Sequence, residues 1–165
     1  MRRLVYSFTI VVNLLLLDQV VKAVAIQRLK GSPPVEVLPV FNLAYVENRG
    51  CAWGLFQGQV WPLAVFAVVA LALLAWKRKS VFPSGAWGVA AELLLYAGII
   101  GNLIDRLYYR FVVDMFDFHW GVHHFPCFNV ADSCITVAAG ILIVSSLFKG
   151  NSQCSRQTPS HASEN

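Results

Sequence analysis

The stretch from Phe111 to Cys134, FVVDMFDFHWGVHHFPCFNVADSC, places three aspartates and three histidines in a chain whose neighbouring segments are oily. A charged side chain near hydrocarbon is costly, so each needs a partner, a neutralising proton or a task. Asp132, and one of the pair Asp114 and Asp117, are left without a local basic partner. Two carboxyl groups brought together at low dielectric cannot both ionise, so they share a proton. One can then take a proton from water while the other donates to a carbonyl oxygen. That is the acid–base pairing needed to hydrolyse a peptide bond without a covalent intermediate. The residue types alone do not choose between Asp114 and Asp117.

The rival chemistry is a metal site built from His119, His123, Asp114 and Asp117, because His119 and His123 are four apart. Gly121 between them weakens a continuous helix, and histidines near a membrane surface are more often boundary residues. No metal and no other cofactor is expected.

Positioning such acids is the job of long apolar segments. Of 165 residues, 57% are apolar and only 13% charged, well off the balance of a soluble domain. Val60 to Trp76 carries no charge, Phe128 to Phe148 only Asp132, and Ala86 to Leu103 only Glu92. Leu4 to Ile26 has Asp18 and Lys22 near its far end. Each run approaches the roughly 20 residues a membrane-crossing helix needs. The expected fold is an all-α membrane protein, a bundle of four transmembrane helices in one domain over residues 1–149, with residues 150–165 a disordered tail. The basic start and Ala23-Val24-Ala25 also fit a cleaved signal peptide, but the apolar character resumes after Asp18.

The net charge of +4 does not point to nucleic acid. Arg2 and Arg3 precede the first span, Lys77, Arg78 and Lys79 follow the second, and Lys149 follows the fourth. These flanks share the cytoplasmic side under the positive-inside rule, which puts both termini inside. Residues 31–52 contain β-branched and aromatic residues broken by Pro39 and Asn42, which reads as a small extramembrane β-sheet. Residues 108–127 read as an outer loop, rich in the aromatics expected at a membrane–water boundary. The four cysteines show no metal-ligand spacing. Cys51 and Cys127 both fall on the outer side, where a disulfide can form, although packing thiols are the simpler expectation.

With the helices running up, down, up and down, the intramembrane polar residues converge on the outer side. Asp18 and Lys22 end the first span, and Asn48 and Arg49 precede the second. Asn102, Asp105 and Arg106 close the third, while Asn129 and Asp132 open the fourth. Glu92 sits apart, roughly midway down the third span. An ion-conducting bundle should instead carry polar groups at several depths. Asp18 and Lys22, four apart, can pair and brace the outer sheet against the bundle, and Asp105 with Arg106 reads as a second charge pair. Asn129 fits a helix cap, which does not exclude another role.

Five blocks, DQVVK (18–22), ENRGCAWG (47–54), GNLIDR (101–106), VVDMFDF (112–118) and FNVADS (128–133), resemble in order and spacing the lipoprotein signal peptidases, also called signal peptidase II. The resemblance spans residues 4–148. It implies a monomeric aspartic endopeptidase of the bacterial inner membrane. Such an enzyme removes the signal peptide of a prolipoprotein just before its diacylglyceryl-modified cysteine, working among membrane lipids. It assigns the catalytic acids to Asp114 and Asp132, and a supporting role to Asp18, Lys22, Asn48, Gly50, Asn102, Asp105, Arg106, Asn129 and Ala131. It also implies a flexible flap between the third and fourth spans. The chain departs from the pattern at Cys51 and Trp53, which are larger than usual, at Arg110, which replaces a glycine, and at Glu92, which replaces a small residue.

Overall fold

The computed structural model describes residues 2–51 and 54–154. Their order is α1 (Arg2–Leu29), β1 (Val35–Leu38), β2 (Phe41–Asn48), α2 (Val60–Trp76), α3 (Arg78–Val81), α4 (Ala86–Tyr108), β3 (Val112–Trp120), β4 (His123–His124) and α5 (Val130–Cys154). Three helical segments are long and apolar enough to cross a membrane: Val5–Leu29, Ala86–Tyr108 and Val130–Phe148. The α2 helix has 17 residues and is shorter than these. The chain is thus a mostly helical, multi-pass membrane protein with a small antiparallel sheet. The last helix runs past Lys149 to Cys154; the rest of the tail expected to be disordered lies outside the described residues, as does Trp53.

Lipid tails are as apolar as leucine, so helices in a bilayer associate through close packing and polar contacts rather than through hydrophobic burial. The α4 helix packs against α1, α2 and α5, and its small residues let it do so. A β-carbon on Gly98 would fall 2.5 Å from the Ala131 carbonyl oxygen and 2.6 Å from Ile135 Cγ1. On Gly101 it would fall 2.8 Å from Asp18 Oδ2. The sequence GIIGN therefore brings α4 against both α1 and α5.

The sheet order is β1-β2-β3-β4, with each neighbouring pair antiparallel. Residues 112–120, which the sequence reads as part of a loop, form its longest strand. Aspartates are depleted in strands and the aromatics look interfacial, which hides the alternation of VVDMFDF. Successive strand side chains face opposite ways. Val113 and Met115 are buried and pack with Ala25 of α1, flanked by Val21, Ile26 and Leu29, so the sheet docks on the outer end of α1. The β2–β3 register pairs Asn48 with Val112 and Val46 with Asp114, then shifts by one residue before Leu43 pairs with Phe116. That bulge bends the ladder beside Asp114.

Glu92 lies in the first two turns of α4, not midway along it. It forms a two-pronged ion pair with Arg78 of α3, in which Nη2 lies 2.7 Å from Oε2 and Nε also donates to Oε1. The sequence reading missed this partner because Arg78 belongs to a different element.

Candidate active site

The site begins at the cap of α5. Asn129 Oδ1 accepts the Asp132 backbone N–H at 2.8 Å, and Asp132 Oδ2 accepts the Asn129 N–H at 3.3 Å. This reciprocal cap fixes the Asp132 carboxyl at the mouth of the helix. The same asparagine, fully buried, points its amide the other way and donates to Asp114 Oδ1 at 2.7 Å. One side chain thus bridges the two acids. Asp114 arrives on β3, where Asn48 Nδ2 donates to its other oxygen at 3.0 Å. Asp132 Oδ1 accepts from Asn102 Nδ2 at 2.7 Å.

Asp117 stands three residues after Asp114 on the same strand and so faces the other way. There it accepts from Asn42 Nδ2 at 3.1 Å and lies 2.7 Å from His124 Nδ1. The geometry selects Asp114 as the neighbour of Asp132 and splits the donor set of the rival metal site. Among the described residues, no three His, Cys, Asp or Glu side chains are arranged to hold a metal ion.

Behind the two acids lies a buried ionic cluster. Lys22 Nζ lies 2.8 Å from Asp18 Oδ2, 3.0 Å from Asp105 Oδ2 and 3.1 Å from Asn102 Oδ1, which occupies its three protons. Asp18 Oδ1 accepts the N–H of Ala131 at 2.9 Å, and Asp105 Oδ2 accepts the N–H of Val113 at 3.1 Å. Each of these carboxylates therefore holds the backbone one residue before a candidate catalytic acid.

Two expectations need correction. Asp105 does not pair with Arg106, because adjacent helical residues point about 100° apart; its cation is Lys22 on α1. Arg106 instead donates to the carbonyl oxygens of Gly50 at 3.0 Å and Asn102 at 3.3 Å. The Asp18–Lys22 pair exists, but the arm that reaches the sheet is Asp105, while Asp18 reaches α5.

Gly50 has no room for a side chain, since a β-carbon there would collide with the Leu55 carbonyl oxygen. Its N–H donates to Asn48 Oδ1 at 2.9 Å, which orients the asparagine toward Asp114. Gln19 was missed by the sequence reading. Its amide donates to Asp105 Oδ1 at 3.0 Å and Asp18 Oδ2 at 3.2 Å. Its place beside Asp18 in DQVVK was the available signal.

In front of Asp132 opens a cavity of 1180 Å³ walled by α2 (Pro62, Phe66, Ala70) and α5 (Ile135, Val137), with Asn102 and Arg106 at its polar head. A smaller pocket of 170 Å³ reaches Asp114, and Asn48, Cys51, Pro126 and Cys127 line both. Burial, and next the charge of Asp132, push the Asp114 carboxyl up to about 7, against the hydrogen bonds from Asn48 and Asn129. Burial likewise pushes the Cys127 thiol up to about 11, so it is protonated and a poor nucleophile at neutral pH. Cys127 and Cys134 are thiols rather than half-cystines. The arrangement can hold one proton between two acids at the head of an apolar cleft.

Comparison with known proteins agrees with this geometry. A family model described as signal peptidase (SPase) II matches residues 10–148. The chain is 39% identical over 149 residues to the lipoprotein signal peptidase of Shewanella pealeana, covering 87% of this chain and 86% of that one. It is 40% identical over 114 residues to that of Vibrio cholerae, covering 67% of each. A solved bacterial membrane enzyme superposes with a TM-score of 0.77 at 31% identity, covering 96% of this chain and 94% of its own. A second such structure gives 0.71 at 30% identity, covering 86% and 92%. The chain belongs to the signal peptidase II family, and with it to the proteases that process lipoproteins.

Proposed function

We propose that this chain is an aspartic endopeptidase of the bacterial inner membrane. In this reading it cuts prolipoproteins immediately before the diacylglyceryl-modified cysteine, with Asp114 and Asp132 sharing one proton and activating one water. The observation that carries it is Asn129, which hydrogen-bonds Asp114 with its amide while capping the helix that carries Asp132 in its first turn. Bridged in this way, the acids divide one proton, and which of them acts as base is a property of the pair. The carboxyl that keeps the proton polarises the scissile carbonyl, and the other draws a proton from water. Asn48, Asn102 and Arg106 orient the acids or the substrate's carbonyl groups.

The cleft suits a substrate held by acyl chains. Its apolar walls run between α2 and α5 and its polar head holds Asp132, so chains anchored between the helices would bring the scissile bond to the acids. Anchoring replaces part of the entropic cost of orientation. In this reading α2 is a fourth membrane span: it carries no charge, and 17 residues lie at the short end of the spanning range, ~17–25. Both termini are cytoplasmic and the site lies near the outer face. Of the six outer-side Lys and Arg, Lys22 and Arg106 are committed to the site, which leaves the basic excess inside. Residues 121–127 act as the flap, and the protein works as a monomer without a cofactor.

The test is cleavage of a lipid-modified preprotein by purified protein, followed by gel mobility. Asp114→Asn and Asp132→Asn should each lose at least about 100-fold in rate, the lower end for acid–base catalysis, while still inserting and folding. Normal processing by either variant would remove the acid pair from the scheme.

A further inference from the structure

Asp117, His119 and His124 lie on the face of β3 and β4 turned away from Asp114, and the acid–base scheme gives them no task. His124 Nδ1 is 2.7 Å from Asp117 Oδ1, and Asn42 on β2 holds the other Asp117 oxygen at 3.1 Å. The His119 ring stacks on that of His124, with centroids 5.1 Å apart and planes 24° apart. Among the described residues, neither His119 ring nitrogen has a hydrogen-bond partner. His119 thus offers a flat face and leaves the carboxylate to His124. Asp117 is 5% exposed, so an imidazole bonded to it is shielded from competing water on one side.

The segment immediately after His124 is the wall of the cleft. Phe125, Pro126, Cys127 and Phe128 all line the main cavity, and Pro126 and Cys127 line the pocket at Asp114 as well. This wall is pinned at its far end by Phe128, whose N–H donates to the Phe116 carbonyl oxygen at 3.2 Å and whose ring stacks on Phe118. Near its start, Phe125 N–H donates to the Phe118 carbonyl oxygen at 2.8 Å. Besides the short β4 pairing and the edge-on packing of the Phe125 ring on Phe128, a side-chain hydrogen bond between His124 and Asp117 ties that near end.

We propose that Asp117 and His124 form a clasp on the rear of the sheet that positions residues 125–128 as the cleft wall, and that the clasp tightens when His124 carries a proton. The inference rests on the peptidase reading for what the cleft receives, but not for the clasp itself. An imidazolium donates a charge-assisted hydrogen bond to a carboxylate, about twice as strong as the neutral one, and histidine is the side chain that gains that charge across about pH 5 to 8. The titratable groups on the same face as His124 and Asp117 are His119 on β3 and Glu36, which lies across from Asn42 in the β1–β2 register. Cys127 follows on the cleft wall, and His123, next to His124 on β4, faces the other way. Burial would raise the Asp117 carboxyl, but the bonds from His124 and Asn42 outweigh it and hold it below the usual range. Asp117 is therefore the anion that holds the imidazole.

The experiment has two readouts on the full-length protein in detergent. Amide hydrogen exchange of Phe125, Cys127 and Phe128, measured across about pH 5 to 8 and corrected for intrinsic exchange, should show several-fold stronger protection on the acidic side. Asp117→Asn and His124→Gln should flatten that dependence, with His124→Gln retaining more protection than His124→Ala. In the cleavage assay, His124→Ala should raise KM several-fold with kcat within about twofold of the wild-type protein, and His124→Gln should restore part of the loss. Exchange that is independent of pH and unchanged by Asp117→Asn would overturn the clasp, as would a fall in kcat at constant KM. Wild-type protein that cleaves nothing yet shows the exchange pattern would count against the peptidase reading and leave the clasp standing.

Discussion

Asn129 does two jobs with one side chain. Its carbonyl oxygen starts α5 and its amide holds Asp114, so the pairing of the two acids is tied to the formation of a helix end. The consequence for Asp114 is measurable. Its carboxyl is pushed up to about 7, first by burial and then by the neighbouring charge. In the proposed mechanism the pair holds its single proton below that value and loses it above. Cleavage rate is therefore expected to fall as pH rises through about 7, in a pH–rate profile taken with saturating substrate. A rate that stays flat well above that point would mean the pair does not share the working proton. The sign for stability follows from the same shift. An ordinary aspartate ionises near ~3.9, so between about pH 4 and 7 the folded chain holds a proton that the unfolded chain does not. This group's contribution is fully present below that window and is lost as pH rises through it.

Helix contacts show where the sequence was legible and where it was not. Three of the four expected spans were plain, because long apolar runs with few charges read as membrane helices, whereas α2, the one run without a charge, is shorter than these. The sheet was only half visible: β1 and β2 carry β-branched residues between turn signals, whereas β3 mixes aspartates with aromatics. Pairing partners were the hardest part. Lys22 and Asp18 share a helix face and could be foreseen, but Lys22 with Asp105 and Arg78 with Glu92 join different elements, which spacing within one segment cannot reveal. For the same reason residue types left Asp114 and Asp117 equivalent, until the strand put them on opposite faces. The close approach of α4 was implicit in GIIGN without a partner being named. Gly101→Ala should cost about 1–3 kcal/mol by overpacking, because its new methyl meets the Asp18 carboxylate and Ala131 Cβ, the latter at 3.3 Å. Thermal unfolding in detergent would register the loss. Wild-type stability in this variant would mean that the helices can separate without strain.

At the scale of the whole molecule, the ionic cluster is the point where separate segments meet. Lys22, Asp18 and Asp105 are almost completely buried, in a setting where removing one partner strands the others. Lys22→Met should destabilise the fold by about 3–5 kcal/mol, the cost of leaving buried charge uncompensated. It should also displace the backbone before both acids. The check is detergent-solubilised yield and melting temperature beside the Asp114→Asn protein, which should remain near wild type. The bond from Asp18 to the Ala131 amide, between residues 113 apart in the chain, has a consequence for how the protein is made. Asp132 stands in the first turn of the final hydrophobic segment, so it is made only after α1, α2 and α4, and its segment must enter the bilayer before the first helix can grip it. In the proposed mechanism a half-synthesised chain therefore lacks its second acid, and the site can assemble only once the last helix is in place.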